Sequence, residues 1–556
     1  MTLLSTFDPV KNPIGFGASD FIELTIAILF VALVLTWRPL LEPFLRRCSS
    51  QTRWCMVGLA VLPVALRLAL LAHHPVPSPD IYDEFGHLFV ADTLRHFRLA
   101  NPAHALSQFF QTFFILQTPT YSSIYPIGQG IVLAIGRAIS GYPWAGVLLS
   151  TSAFAALCYW MLRGWTTPAW ALAGGFLTVI EFGPLNPWMN GYWGGTLAAG
   201  AGCLVFGALP RLTKQVRTRD ALALGGGLAI HLLTRPYESI FLIIAVSLFL
   251  IPSVKRVVGV MPVIALAVIP AIGITLLQDK SVTGLWTTLP YQLSQYQYGV
   301  PASLTFQPNP IPHRDLTPQQ QLEYKSQLAF REGEKDTLKT YLLRLEYRVR
   351  YYRFFFLAPL SLAIPAFWFA AAREPRYAWV LLTLFIFALG INFFPAFQLH
   401  YLGAVTCLFV LMSVVGLQQI SRWSPEASRL ILFLCLIHFA FWYGMHLFED
   451  EQIAPAMFNY ETWDSINHRN PERRIFVNGK LADFPGKLLV FVRYSPRHVF
   501  QDEWVYNEAS IDSARIIWAR DLGSEANKKL QALYPDREAL LLEPDVRPLP
   551  QLGPYF

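Results

Sequence analysis

The chain has 556 residues, 54% of them hydrophobic and only 15% charged, with a mean hydropathy of +0.37 and a formal net charge of +7. A soluble globular protein carries roughly 25% charged residues, so this composition excludes an ordinary soluble enzyme. The basic residues are scattered through short loops, which suits a membrane protein and not a nucleic-acid surface.

Apolar runs of about 17 to 22 residues read as transmembrane helices. About twelve are predicted, near 21–37, 54–72, 143–162, 167–183, 191–209, 221–234, 238–252, 257–277, 354–371, 377–395, 402–419 and 429–446. The first lacks a basic leader and a small-residue cleavage site, so it reads as a retained helix. Lys and Arg then mark alternate connections: Arg38, Arg46, Arg47 and Arg53; Arg163; Arg211, Lys214, Arg217 and Arg219; Lys255 and Arg256; Arg373 and Arg376; Arg422 and Arg429. All fall on one side, which the positive-inside rule makes cytoplasmic. Residues 73–142, 278–353 and the tail from about Phe448 are then expected outside, in the periplasm of a cell inner membrane. The tail alternates strand-like runs (487–492, 514–518) with a helical stretch (524–533), which predicts a small extracytoplasmic α/β domain over 447–556. The fold class is thus an all-α polytopic membrane domain over 1–446 with that accessory domain appended.

Six cysteines lie in or beside apolar runs without CxxC spacing, which argues against a disulfide framework and a zinc site. No Walker loop, GxGxxG turn or HExxH motif is present, and the Gly225-Gly226-Gly227 run reads as close helix packing.

The first outer loop carries Asp83-Glu84, followed by His87 and Asp92 at helical spacing. Paired carboxylates at a membrane surface repel each other and cost desolvation energy. They suit a general base with an orienting partner, or else an N-terminal helix cap beside the dipole. Arg235 lies on the outer side against the positive-inside trend; it can grip a phosphate by its fork, or pair with Glu238 at the break made by Pro236. The connection 181–193 offers Asn190 and Trp193, an amide and an aromatic that suit a sugar ring or an interfacial belt. His400 and Tyr401 start the eleventh span, lining the same cavity or anchoring the helix. Arg344 and Arg348, one turn apart, can hold lipid phosphates or snorkel and pair with Glu346.

These residues together resemble the GT-C class of integral membrane glycosyltransferases, more narrowly the protein mannosyltransferase, aminoarabinose transferase and RgtA/B/C/D-like group. The resemblance spans roughly residues 50–420. It rests on the Asp83-Glu84 motif in the first outer loop, the helical continuation Phe85 to Leu99 followed by Ala100-Asn101-Pro102, and Leu233-Thr234-Arg235-Pro236. Arg235 stands where some members carry a basic residue, often lysine, facing the carrier phosphate. Two spans, not one, precede the acidic loop, which departs from the pattern.

The resemblance implies transfer of a hexosyl or pentosyl group, with inversion, from a polyprenyl-phosphate carrier to a glycan, lipid or protein acceptor. Asp83 would be the base, Glu84 its orienting partner, and Arg235 the group facing the leaving phosphate. Some relatives use a divalent metal, for which no ligands can be assigned. No nucleic acid is expected as a partner; membrane lipids are. A polytopic transporter fits twelve spans, but no internal repeat is present. A polysaccharide ligase or polymerase would instead use late-loop groups such as His313, Arg314 and Arg344.

Overall fold

The computed structural model describes Thr25, Ile28, Leu29 and residues 47–329, 336–448 and 471–555. The first expected span, 21–37, lies almost wholly outside these residues, as do Arg38 and Arg46. Helices occupy the other expected spans: α1 (Thr52–Ala69), α4 (Trp144–Trp165), α5 (Pro168–Phe182), α6 (Gly195–Lys214), α7 (Thr218–Thr234), α8 (Pro236–Leu250), α9 (Met261–Thr283), α11 (Ala363–Ala371), α12 (Pro375–Ile391), α13 (Thr406–Trp423) and α14 (Pro425–Phe448). Between them lie α2 (Tyr82–Arg95), α3 (Ile127–Ser140) and α10 (Leu338–Arg350).

Among the described residues, six stretches are long and apolar enough to cross a membrane by themselves, or seven if the pair Leu338–Phe355 and Ala358–Ala371, bent by 116°, is one span. One stretch, Pro236–Thr283, has 48 residues. As a straight helix it would be about 70 Å long, more than twice the hydrocarbon thickness. It doubles back instead. Arg235, just before its start, acts electrostatically on Asp83, which Tyr125 contacts, and Gln278 near its end donates to the Tyr125 carbonyl. Both ends therefore lie at one end of the bundle, as two crossings require. Helices α3, α5 and α12 are apolar but short. The first of these was not expected: residues 127–140 were read as outer loop.

Close packing rests on small residues. A Cβ on Gly227 would lie 2.7 Å from the Ala201 carbonyl oxygen of α6, and one on Gly225 2.8 Å from that of Ile264 in α9. The glycine run of α7 is thus a two-sided helix contact, as its sequence predicts. At one end of the bundle Arg163, Lys214, Arg376 and Arg422 line a single cavity, and Arg163 also donates to the Ser49 carbonyl before α1. Five of the six connections expected on one side therefore meet at one end.

At the other end stands a small three-stranded sheet, ordered β1 (Asn101–Pro102), β3 (Thr120–Ser123), β2 (Ile115–Leu116). Above it lies the tail. Helix α15 (Glu472–Ala482) leads into β4 (Leu488–Val492), β5 (Ile516–Arg520), helix α16 (Ser524–Leu533), β6 (Glu538–Glu543) and β7 (Gln551–Pro554). The sheet order is β5-β4-β6-β7, with β4 parallel to both neighbours and β7 antiparallel to β6. The strand period of two splits β4 between two cores. Leu488, Val490 and Val492 pack with Val477, Leu481 and Trp504. Leu489 and Phe491 pack with Phe89 of α2 and with Phe109, Phe110 and Ile115 of the first loop.

Candidate active site

Helix α2 starts after extended Ile81, so Asp83 and Glu84 fall in its first turn, where the dipole favours carboxylates. Their side chains part there. Glu84 is buried and fully used: Oε2 accepts the Asp80 N–H at 2.9 Å and Oε1 the Tyr192 N–H at 2.8 Å. It ties the helix to the chain just before it and staples it to the 184–193 connection. A Cβ on Gly191 would come within 2.8 Å of Glu84 Oε1, so the staple needs glycine there. Burial pushes the Glu84 carboxyl up to about 7, against these backbone hydrogen bonds.

Asp83 faces the other way. It accepts a short hydrogen bond from the Tyr125 hydroxyl, and burial raises its carboxyl to about 6, although Tyr125 and the charge of Arg235 pull downward. Tyr125 reaches it because residue 86 is glycine; a Cβ there would lie 2.5 Å from the tyrosine ring. His87, one turn on from Asp83, is buried with its ring 4.4 Å from that of Tyr125, and its Nδ1 has no hydrogen-bond partner. Burial, and secondarily Arg235, lower it to about 3, so it is a neutral imidazole.

Arg235 follows α7 at the break before Pro236. Its Cζ lies 5.4 Å from the Tyr401 ring centre, and Nη2 makes one long bond, 3.4 Å, to the Trp193 carbonyl. Its Nε is buried without a hydrogen-bond partner. The Trp193 ring meets His400 edge-on at 5.0 Å, and His400 meets Tyr401 at 5.0 Å. Arg235 is within electrostatic reach of Asp83, His87 and His400. Five of the expected site residues thus share one space: Asp83, His87, Arg235, Trp193 and His400.

The others are placed elsewhere. Asp92 lies nearly three turns along α2, where Oδ2 accepts the Ala509 N–H at 2.8 Å and Oδ1 faces Arg95 and Arg137. Asn190 accepts from Arg67 Nε at 2.6 Å and donates to the carbonyls of Pro184 and Asn186. Arg344 pairs with Asp336 and donates to Asn392, not to Glu346, whose partner is Arg350. Arg348 is buried, its guanidinium spread over the carbonyls of Ile391, Phe394 and Pro395. It caps the end of α12 and has no donor turned to a lipid.

Tyr125 was not singled out in the sequence; its place just before Pro126 and a helix start is the only local signal. Arg67 was also missed, although an arginine inside an apolar run is itself a signal. It is buried and holds the carbonyls of His74 and Pro75 along with Asn190. The tail contributes too. Tyr506 stacks on Phe85 at 4.2 Å with ring planes 2° apart, Arg474 covers the same ring at 4.7 Å, and Tyr506 acts electrostatically on Tyr82 next to Asp83. Buried Arg520 ties the tail to the outer loops through the Gln111 carbonyl and Gln319, both at 2.6 Å, and pairs within the tail with Glu503.

Asp83 and Glu84 diverge, so they do not chelate. Among the described residues no group of three or more His, Cys, Asp or Glu side chains could hold a metal ion. The site can accept a proton at Asp83, present a cation from Arg235 and offer a neutral imidazole and an aromatic wall.

No protein-family model and no curated protein matches the chain in sequence. Its fold matches solved structures, two of them of ArnT. One is ArnT from Cupriavidus metallidurans in the apo state, with a TM-score of 0.53 at 11% identity over 89% of this chain and 93% of that one. The other is ArnT from the same organism bound to undecaprenyl phosphate, with a TM-score of 0.51 at 11% identity over 88% and 93%. The fold is that of the GT-C enzymes, the one the Asp83-Glu84 resemblance led us to expect.

Proposed function

We propose that this protein is a membrane glycosyltransferase. It moves a hexosyl or pentosyl group from a polyprenyl-phosphate carrier to an acceptor hydroxyl, with inversion, on the extracytoplasmic face of the inner membrane. One observation carries the reading: a carboxylate held near neutrality, Asp83, shares a space with Arg235, a half-buried cation whose buried Nε has no hydrogen-bond partner. The fold shared with an undecaprenyl-phosphate-bound ArnT supports the choice of carrier.

Asp83 takes the proton of the acceptor hydroxyl as its oxygen attacks the anomeric carbon. The bond from that carbon to the phosphate oxygen breaks, and the lipid phosphate leaves. Tyr125 occupies one carboxylate oxygen and orients the other. The charge growing on the leaving phosphate meets Arg235, whose interaction strengthens as the bond breaks. Neutral His87 can hydrogen-bond a sugar hydroxyl through Nδ1 without adding charge, and Trp193 offers a face for the ring. No step passes through a metal. The acceptor is a glycan, lipid or protein. The basic end of the bundle faces the cytoplasm and the Asp83 end, with the tail, faces out.

The ligase reading loses ground. His313 is stacked on Tyr296 and bonded to its carbonyl, and Arg314 is committed to Thr118, Gln297 and Tyr298.

The test is purified protein in lipid with a panel of polyprenyl-phosphate sugars, reading release of free polyprenyl phosphate. Turnover by the native chain that is lost in Asp83→Asn supports the mechanism. Equal turnover by both would move the base elsewhere, and no release with any donor would remove the donor class.

A further inference from the structure

We propose that the cavity at the end of the bundle remote from Asp83 is a binding site for a phosphate-bearing anion. The cavity has a volume of about 270 Å³ and is lined by Arg163, Lys214, Arg376 and Arg422, with Thr166 and Gln418. The four cations come from four helices, α4, α6, α12 and α13. Helices α5 and α12 begin at its wall, after Thr167 and at Pro375, so their positive dipole ends lie beside the same space. The ends of α4, α6 and α13 bring carbonyl dipoles, which offset part of the positive charge.

Counter-charge from carboxylates is short. Glu374 pairs with Arg376 at 2.7 Å. Among the described residues no ion pair takes Arg163, Lys214 or Arg422. Arg163 spends Nη1 on the Ser49 carbonyl and the Tyr159 hydroxyl, and Arg422 spends Nη1 on Gln419, so donors remain on each. Like charges converging on one concavity repel. An anion with several acceptor oxygens relieves that repulsion and accepts the spare N–H groups.

A topological signal alone needs only basic loops. Lys255 and Arg256 serve that purpose on the same predicted side, exposed and outside the cavity. The convergence of Arg163, Lys214 and Arg422 is more than orientation requires. The volume is below the roughly 300 Å³ at which sites for drug-sized molecules begin, which fits a phosphate or diphosphate group and not a whole nucleotide. The group can belong to an anionic lipid headgroup of the adjacent leaflet or to a soluble phosphate compound.

The test uses the full chain in nanodiscs, comparing the native protein with Arg163→Gln/Lys214→Gln/Arg422→Gln and with the control Lys255→Gln/Arg256→Gln. In one arm, native mass spectrometry counts phosphatidylglycerol retained relative to phosphatidylcholine. In the other, inorganic pyrophosphate is added to phosphatidylcholine nanodiscs and the melting temperature is followed. A preference of about tenfold for phosphatidylglycerol in the native and control proteins, absent in the triple variant, assigns a lipid headgroup. A pyrophosphate-dependent rise in Tm that the triple variant alone lacks assigns a soluble ligand. If neither arm separates the triple variant from the control, the proposal fails. Should the triple variant not fold, Arg422→Gln alone is read in both arms by the same criterion.

Discussion

Arg235 and Arg348 are both arginines expected to meet a phosphate at the Asp83 end of the molecule, yet they are used in opposite ways. Arg348 spends its guanidinium on backbone carbonyls left open at the end of α12. Arg235 makes one long bond to Trp193 and keeps Nε empty. A cation that is saturated with hydrogen bonds is part of the scaffold. One that is left unsatisfied is held for something that arrives. Asp83 and Glu84 repeat the contrast within one helical turn: Glu84 is spent on two N–H groups, while Asp83 keeps an oxygen for use.

The sharpest way to test that contrast is Asp83→Asn. Release of polyprenyl phosphate should fall by about 10³-fold, the range for loss of a general base. The same variant should melt about 1–3 °C higher at pH 8, because it removes a charge that burial penalises. A lower melting temperature would class Asp83 with Glu84 as scaffold. Next comes the arginine pair. Arg235→Ala should lose about 10²-fold in turnover at unchanged melting temperature, while Arg348→Ala should lose melting temperature and yield, with near-native turnover in the fraction that folds. The reverse pattern would break the comparison.

The pH dependence is a smaller effect. The Asp83 carboxyl is raised to about 6, so kcat/KM should climb as pH rises through 6 and level off above it. Stability should run the other way. Carboxyls raised in the folded state favour the protonated form, so the contribution of Asp83 and Glu84 is full only below their ordinary values of 3.8 and 4.5. It is lost as pH climbs through 6 and 7. An activity profile flat from pH 5 to 8 would remove Asp83 as the titrating base. Smallest is Tyr506→Ala, which removes one ring stack worth about 0.5–1.5 kcal/mol. It should change turnover by a few-fold and leave the bundle intact; a loss as large as that of Asp83→Asn would bring the tail into the chemistry itself.

Four of the five gathered site residues, all but Trp193, were legible because charge and imidazole stand out in an apolar chain, where each costs free energy unless it has a use. What the sequence did not show is which use. Asp92 and Asn190 look as available as Asp83 until Ala509 and Arg67, 417 and 123 residues away, supply their partners. Whether a carbonyl or an N–H stands opposite a side chain is a property of the fold, not of spacing. Tyr125 was invisible for the converse reason: one tyrosine among 23 carries no charge to mark it, and its role depends on a glycine 39 positions earlier in the chain. Strands β4 and β5 of the tail were readable from their apolar runs. That β4 is buried on both faces, and that one of those faces rests on the acidic helix, was not.

That packing sets an order in time. The ribosome delivers Asp83 early, while Arg474, Tyr506, Ala509 and Arg520 follow some four hundred residues later. Until they arrive, Phe85 lacks its stacked ring and Asp92 the N–H it accepts. Domains fold as they emerge, N-terminal parts first, so the membrane bundle can assemble while the acidic turn is still uncovered on one side. A chain that stops before the tail carries its carboxylate in an unfinished setting, and a segment made late completes one made early.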